Sequence, residues 1–451
     1  MSPWVKWLLG ACAMVLAGGQ AIAQVAAANP PSTDGLKPGD VLTRANWQQA
    51  DGLLPPEVLK HYEQGHYENR LADWPVGIFQ WEPEFVAATE RNRGRLILNE
   101  HGTIIDKTTG TQPPYVYGFP FPDIDPNDPQ VGLKILWNSY YGYWYLGSSR
   151  NEVRLIWVNP DGVDREAGQD VHFLYYDGQS ERYRVPNPNN FLTQMVATAT
   201  YPTDLYGTTA LTWRYRDSRK RDSNWAYVPA LRRVRAVSSS NRSDGFLGSD
   251  LSQDDGPFFD GKPEDFDWKL VGAADQYCLV DPLSLKGKSL SKWLPTGGWR
   301  SVWPREIKAV GYEDPQWKGI AWAPIGPQLG KRPMWIIEAV PKDRYYLYGK
   351  VQLYVDRETY HGAYNRKFSW KGELLNTYAI LGFHSDKRIR PDGTEERLWA
   401  SNMGYQAAEN IRMNRATVSG QQAPIGDPAN DRRIPLDPSF FDFTTLQRFG
   451  K

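Results

Sequence analysis

The sequence predicts a β-rich α+β fold built on a large antiparallel sheet. Three observations predict it. Segments of five to ten residues rich in Val, Ile, Tyr, Trp and Thr alternate with Gly, Pro, Asn and Asp turns through most of the chain. Helical patterns do not intervene between these segments, which favours antiparallel neighbours over β-α-β crossovers. No stretch repeats at a fixed period, which argues against a propeller.

Composition narrows the classes. The chain has 451 residues, with 52 Lys and Arg against 52 Asp and Glu. A neutral chain makes a poor general nucleic-acid binder. Two cysteines cannot build a disulfide scaffold or a Cys-based zinc module. The mean hydropathy is −0.58, and no apolar run beyond the N-terminus is long enough to span a bilayer as a helix. The length exceeds the ~250–300 residues at which one core usually stops growing. Either two domains or one unusually large sheet is required.

Met1–Ala23 reads as a cleavable secretory leader. Lys6 supplies the positive start, residues 7–18 the apolar stretch, and Ala21-Ile22-Ala23 the cleavage site. Leu9-Gly10-Ala11-Cys12 offers a competing lipoprotein box, but cleavage there would leave too short an apolar stretch upstream. Once the leader is gone only Cys278 remains, between Tyr277 and Leu279, and it is expected to be buried. Residues 24–40 are rich in Ala, Pro, Asn, Ser and Gly and read as a mobile linker. Residues 41–451 follow as one large domain with insertions.

Three helices are expected. One lies near 53–64, opened by Pro55-Pro56, with Val58, Leu59 and Tyr62 on one face. A second covers Glu82–Arg93, with Phe85, Ala88 and Thr89 at helical spacing. The third runs from Asp128 to Leu146, with Asp128-Pro129 as N-cap and first turn. It places Leu133, Leu136, Trp137, Tyr140, Tyr141 and Trp144 on one face and Gln130, Lys134 and Asn138 on the other. Strands are expected at Val153–Val158, Val171–Tyr176, Thr209–Tyr215, Met334–Val340, Tyr346–Val355, Ala363–Trp370 and Asn376–Phe383. Asp177-Gly178 and Lys371-Gly372 read as hairpin turns.

Catalytic chemistry finds no motif. The histidines are His61, His66, His101, His172, His361 and His384, and no two stand three or four apart. His61 and His66 are expected on nearly opposite sides of a helix, in solvent. There is no G-x-S-x-G elbow. Gly287-Lys288-Ser289 lacks the first glycine of a phosphate loop, where Pro282 stands. Ser289 and Lys292 form an S-x-x-K pair without its companion motifs. The expectation is a protein that is not an enzyme and holds no metal or cofactor.

The informative stretch runs from Trp225 to Tyr277. Trp225, Tyr227 and Pro229 have strand period. Arg232, Arg233 and Arg235 follow, then Gly248-Ser249-Asp250 and the pair Asp254-Asp255. Three guanidiniums this close either meet acids or turn to solvent. One reading is a network with Asp250 and Asp255 that pins the following loop to the sheet. The other is a solvated strand edge.

This pattern, W-x-Y-x-P-x-x-R-R-x-R followed by G-S-D and an acid pair, resembles the outer-membrane lipoprotein-sorting proteins LolA and LolB. Val355-Asp356-Arg357-Glu358-Thr359, then Lys371-Gly372-Glu373-Leu374-Leu375, resembles a turn and hairpin of the same group. Leu36-Lys37-Pro38-Gly39-Asp40 and Leu53-Leu54-Pro55-Pro56 fit its long periplasmic branch, a domain of unknown function of the DUF1329 type. The chain is more than twice the size of the simple carriers, so their mechanism need not transfer whole. The resemblance implies a half-open barrel with helices as lid or plug, in the periplasm of a Gram-negative bacterium. It implies a lipid, lipoprotein acyl chain or other apolar ligand on the concave face, and an envelope transporter of the resistance-nodulation-division type or an outer-membrane component as partner. Trp137, Tyr140, Tyr141, Trp144, Trp225 and Tyr227 are the candidate ligand contacts, with ordinary packing as the alternative for the helix. Two other classes stay open. The 17 tryptophans left after Trp4 and Trp7 depart with the leader suit a carbohydrate-binding or carbohydrate-cleaving protein. Alternating aromatic strands suit an outer-membrane barrel, against which the 34 prolines count.

Overall fold

The computed structural model describes residues 35–74, 79–281, 291–301, 308–420 and 429–448. The expected leader with Cys12, most of the expected linker and Gly287-Lys288-Ser289 lie outside the described residues. Thirteen strands make one continuous ribbon. The first six are β1 (Ser149–Asn159), β2 (Gly162–Tyr175), β3 (Phe191–Tyr201), β4 (Thr209–Tyr215), β5 (Ser223–Val228) and β6 (Arg233–Val237). After an excursion come β7 (Phe266–Val280), β8 (Gln328–Pro341), β9 (Lys350–Asp356), β10 (Gly362–Phe368), β11 (Leu374–Ile389), β12 (Glu395–Asn410) and β13 (Arg415–Gly420).

Neighbours run β6-β5-β4-β3-β2-β1-β13-β12-β11-β10-β9-β8-β7, every pair antiparallel. Short strands bring the sheet to 18. Among the described residues the outer strands β6 and β7 pair with β5 and β8 and not with each other, so the large curved sheet stays open. Asn69–Ala72 and Asn430–Arg432 are two of the added short strands.

Both faces of this sheet are apolar, because residues alternate sides along each strand. On the inner face, Leu155, Trp335, Leu353 and Tyr378 pack around a helix. That helix is α3 (Val131–Trp144), which follows α1 (Pro56–Glu63) and α2 (Pro83–Asn92). On the outer face, Ile156, Val418 and Tyr364 meet Val58, Leu59 and Tyr62 of α1. A separate outer cluster on β2–β5 is covered by Phe441 and by Leu446 of α4 (Phe443–Arg448).

α3 departs from the expected two-sided helix. Asn138 is fully buried, and its amide accepts from Phe121 N at 3.0 Å and donates to Phe121 O at 2.7 Å. The N-cap is Gln130, not Asp128. Asp128 instead accepts from Gln130 N at 2.7 Å and pairs with Lys134. Two glycines let the helix approach its neighbours. A Cβ on Gly132 would stand 2.9 Å from the Lys269 backbone of β7, and one on Gly178 would stand 2.5 Å from Trp144 Cβ.

Three further expectations change. Asp177-Gly178 does not close a tight hairpin, since β2 ends at Tyr175 and β3 starts at Phe191. Asp177 is a buried acid that accepts from Tyr141 Oη at 3.2 Å and Arg216 Nε at 3.1 Å. Burial pushes its carboxyl up, against the pull of Arg216. His61 is buried, not solvated: its Nε2 meets Glu409 at 2.7 Å and its Nδ1 meets His66 Nδ1 at 3.2 Å. The helical wheel fails there because α1 ends at Glu63 and Gly65, at φ +74°, folds the chain back. The last residues of the expected linker are held, with Gly39 N donating to Leu71 O at 2.9 Å and Leu36 packed on the outer cluster. Lys371-Gly372 does form a hairpin turn, between β10 and β11, and Cys278 is buried.

Glu82, at the N-terminus of α2, ties that helix to the far end of the chain. It accepts from Arg433 Nη1 at 2.7 Å and from Arg388 Nη2 at 3.3 Å. Burial alone would raise its carboxyl, but the hydrogen bond and charge of Arg433, with Arg388, hold it down to about 2 from 4.5. Its contribution to stability is therefore present above about 4.5 and is lost as pH falls toward about 2. Glu82→Gln leaves the buried Arg433 guanidinium without its counter-charge, while Arg388 keeps Glu396 at 3.0 Å, and we expect a loss of about 3–5 kcal/mol at pH 7. Urea unfolding at pH 7 and pH 3 checks this: the gap between wild type and variant narrows at the lower pH.

Candidate functional site

The sheet's inner face leaves a cavity of about 120 Å³ beside α3. Its floor is Val153 and Leu155 of β1, Val171 and Phe173 of β2, and Met195 and Ala197 of β3. Strand period brings these residues to one side, while Val196 and Leu174 point to the opposite face. The roof is the segment 246–260, a chain of short 3-10 turns that contributes Phe246, Leu251 and Pro257. Polar side chains also line it, among them Gln169, which lies opposite Val153 in the floor, Gln406 and Asp260.

The roof is pinned by its carboxylates. Asp250 accepts from Arg415 Nε and Nη2 at 3.1 and 3.0 Å, from Asn410 Nδ2 at 2.9 Å and from Thr417 Oγ1 at 3.1 Å. Asp255 accepts from Ser252 N at 2.6 Å and Ser252 Oγ at 2.9 Å, and pairs with Lys367 of β10. Asp254 meets Arg242 Nε at 2.6 Å and Tyr346 Oη at 2.8 Å. Asp260 meets Arg214 and Arg242, both at 3.1 Å. Burial pushes the Asp260 carboxyl up, against the pull of those two arginines. Ser249 Oγ donates to Leu251 O at 3.0 Å, and Gly248 O accepts from Trp157 Nε1 at 3.2 Å.

The expected network is thus half present. Asp250 and Asp255 do hold the loop to the sheet, but Arg415 and Lys367 supply the charge. Arg232, in the turn before the edge strand β6, and Arg233 and Arg235 on it are exposed and reach neither acid. Edge geometry goes with this: among the described residues β6 pairs only with β5, so its arginines meet solvent on the open side.

The six aromatic candidates separate. Trp137, Tyr140, Tyr141 and Trp144 are all buried. Trp137 Nε1 donates to Gly102 O at 3.2 Å and Tyr140 Oη to Gly261 O at 2.6 Å. Tyr140 and Trp144 line a neighbouring pocket of about 30 Å³, and Trp144 stacks on Tyr175 at 5.9 Å. The α3 residue that borders the larger cavity is Tyr143, which the helical wheel had left off the aromatic face. α3 is apolar nearly all round, and such a helix is buried all round; that was the available signal. Trp225 and Tyr227 belong to the outer face. Trp225 stands edge-on to Trp213 at 4.7 Å, and Tyr227 joins the cluster with Leu211 and Phe441.

The described tryptophans are buried or half-buried except Trp370, in a turn. Among the described residues no group of three or more His, Cys, Asp or Glu is placed to hold a metal ion, and no helix is long and apolar enough to cross a membrane.

The chain is similar to a domain assigned to outer membrane lipoprotein sorting from Vibrio parahaemolyticus, with 16% identity and a TM-score of 0.44 over 71% of this chain and 100% of that one. It is similar to a DUF1329 family protein from Desulfovibrio piger, with 17% identity and a TM-score of 0.44 over 71% and 99%. A LolA superfamily protein from Nitrosomonas europaea aligns at 12% identity and a TM-score of 0.39 over 70% and 98%. A comparison with curated proteins finds no match. The family model described as "Protein of unknown function (DUF1329)" matches residues 41–425. With that match covering most of its length, the chain belongs to the DUF1329 family.

Proposed function

We propose that this protein is a carrier that takes a hydrophobic molecule between β1–β3 and the 246–260 segment. The observation that supports it is the apolar cavity under a roof held by salt bridges instead of by apolar packing alone. A dry cavity of roughly 150 Å³ holds a benzene-sized guest, so the space of about 120 Å³ is of that order. A lipid or lipoprotein acyl chain therefore requires the roof to lift. Apolar burial drives binding at ~25 cal/mol per Å², and the ion pairs of Asp250 and Asp255 set how readily the roof opens. The reading includes a single domain after residue 40, a periplasmic location after removal of Met1–Ala23, no covalent chemistry, and delivery to an envelope transporter of the resistance-nodulation-division type or an outer-membrane component. The leader-like N-terminus and the resemblance of the Trp225–Asp255 stretch to lipoprotein-sorting proteins support these parts. A sugar-binding role asks for tryptophans in an open groove, and the described tryptophans do not make one.

Two measurements test the proposal. The purified mature protein should release a lipid on extraction and mass spectrometry, and should take up a fluorescent fatty acid. Met195→Trp fills the cavity floor and should weaken that uptake tenfold or more, at an overpacking cost of about 1–3 kcal/mol. No extracted lipid together with no uptake overturns the reading. Asp250→Asn loosens the roof at its Arg415 anchor; stability should fall by about 1–3 kcal/mol, and stopped-flow uptake should become faster. Unchanged kinetics in a destabilised variant show that the segment is not the gate.

A further inference from the structure

Exposed apolar side chains scattered singly are ordinary on a protein surface; here they are not scattered. Twelve large apolar residues are exposed among the described residues. Nine of them sit at one end of the sheet. The turns β1–β2, β3–β4 and β5–β6 carry Val163, Tyr206 and Leu231. The connections β8–β9, β10–β11 and β12–β13 carry Val340, Tyr345, Leu347, Trp370, Ile411 and Met413. Antiparallel pairing places all six at the same end: Ala416 lies opposite Val158, Asn376 opposite Asn410, and Lys350 opposite Phe368. The turns at the other end, 216–222, 357–361 and 390–394, have polar tips, with only Ile389 exposed beside them.

Cations stand next to these tips. Arg165 lies by Val163, Arg232 by Leu231, Arg344 by Tyr345, Lys371 by Trp370 and Arg412 by Met413, all exposed. With Lys342 and with Arg233 and Arg235 of β6, they make eight exposed cations at this end, against five exposed acids, Asp161, Asp164, Asp204, Asp267 and Glu373. The turns at the opposite end carry exposed cations too, among them Arg219, Lys220, Arg221 and Arg357, so it is the apolar tips beside the cations that set this rim apart. Neighbouring turns are also held together. Trp370 Nε1 donates to Tyr346 O at 2.9 Å, the Arg344 guanidinium lies 5.0 Å from the Trp370 ring, and Arg412 meets Glu373 at 3.4 Å. Leu347 N donates to Ser243 Oγ at 2.9 Å, which joins this rim to the root of the cavity roof.

We infer that this rim docks on a bilayer containing anionic lipid. Apolar tips enter the headgroup layer while the arginines and lysines beside them meet phosphates, the combination that holds a protein at a membrane interface. Docking there sets the roof segment beside the membrane. The inference goes beyond the carrier reading and does not depend on what the cavity holds.

The test is flotation of the mature protein with vesicles of phosphatidylcholine alone and of phosphatidylcholine mixed with phosphatidylglycerol. Binding is expected to the mixed vesicles and to weaken as salt is raised. The triple variant Tyr345→Ser, Leu347→Ser, Met413→Ser should lose about tenfold or more of that binding. Arg232→Gln, Arg233→Gln, Arg344→Gln together should remove the preference for the anionic lipid. Ile389→Ser, at the opposite end, should bind as wild type. All these positions are exposed, and an unchanged melting temperature with unchanged fatty-acid uptake from solution separates a failed rim from a failed cavity. Wild type that does not float with mixed vesicles, or an Ile389→Ser loss equal to that of the triple variant, overturns the inference.

Discussion

A curved sheet that does not close has two faces to keep from water, and that constraint organises the rest of this molecule. A closed barrel hides its inner face by its own curvature. Here β6 and β7 do not pair among the described residues, so other segments must cover both sides. α3 and the 246–260 segment lie against the inside; α1, residues 309–323 and α4 lie against the outside. Each cover buries apolar area on a strand that alternates, which is why Met195 lines a cavity while its neighbour Val196 packs under the C-terminal helix. The excess length of the chain is largely this coating.

The covers are fastened by charge as well as by shape. Glu82 with Arg433 and Arg388, Asp250 with Arg415, and Asp255 with Lys367 each join a cover to the sheet. A buried carboxylate with its counter-charge removed is expensive, so such contacts specify one docking position where apolar surfaces alone would tolerate several.

Local patterns were legible in the sequence; long-range partners were not. The strand Thr209–Tyr215 and helices α1 and α2 followed from period and turn residues, because both signals act over a few neighbours. The acids of the roof were visible as a motif, yet their cations stand 165 and 112 residues away for Asp250 and Asp255. Proximity in sequence suggested Arg232, Arg233 and Arg235 instead. His61 was misplaced for a similar reason, since a helical wheel continued past Gly65 puts His66 on the wrong side. The aromatic residues were found without their sides: Trp225 and Tyr227 have strand period, but period alone does not say which face is the inner one.

The separation between Asp250 and Arg415 also has a consequence for biogenesis. The roof segment leaves the ribosome well before the strand that anchors it, and a chain exported N-terminus first presents the two in the same order. Contacts of such span form only after the intervening loop has closed. Until β12 and β13 add to β1, the inner face has its floor but no fastened roof. During synthesis the chain therefore passes through a stage in which the segment 246–260 exists without its anchor at Arg415.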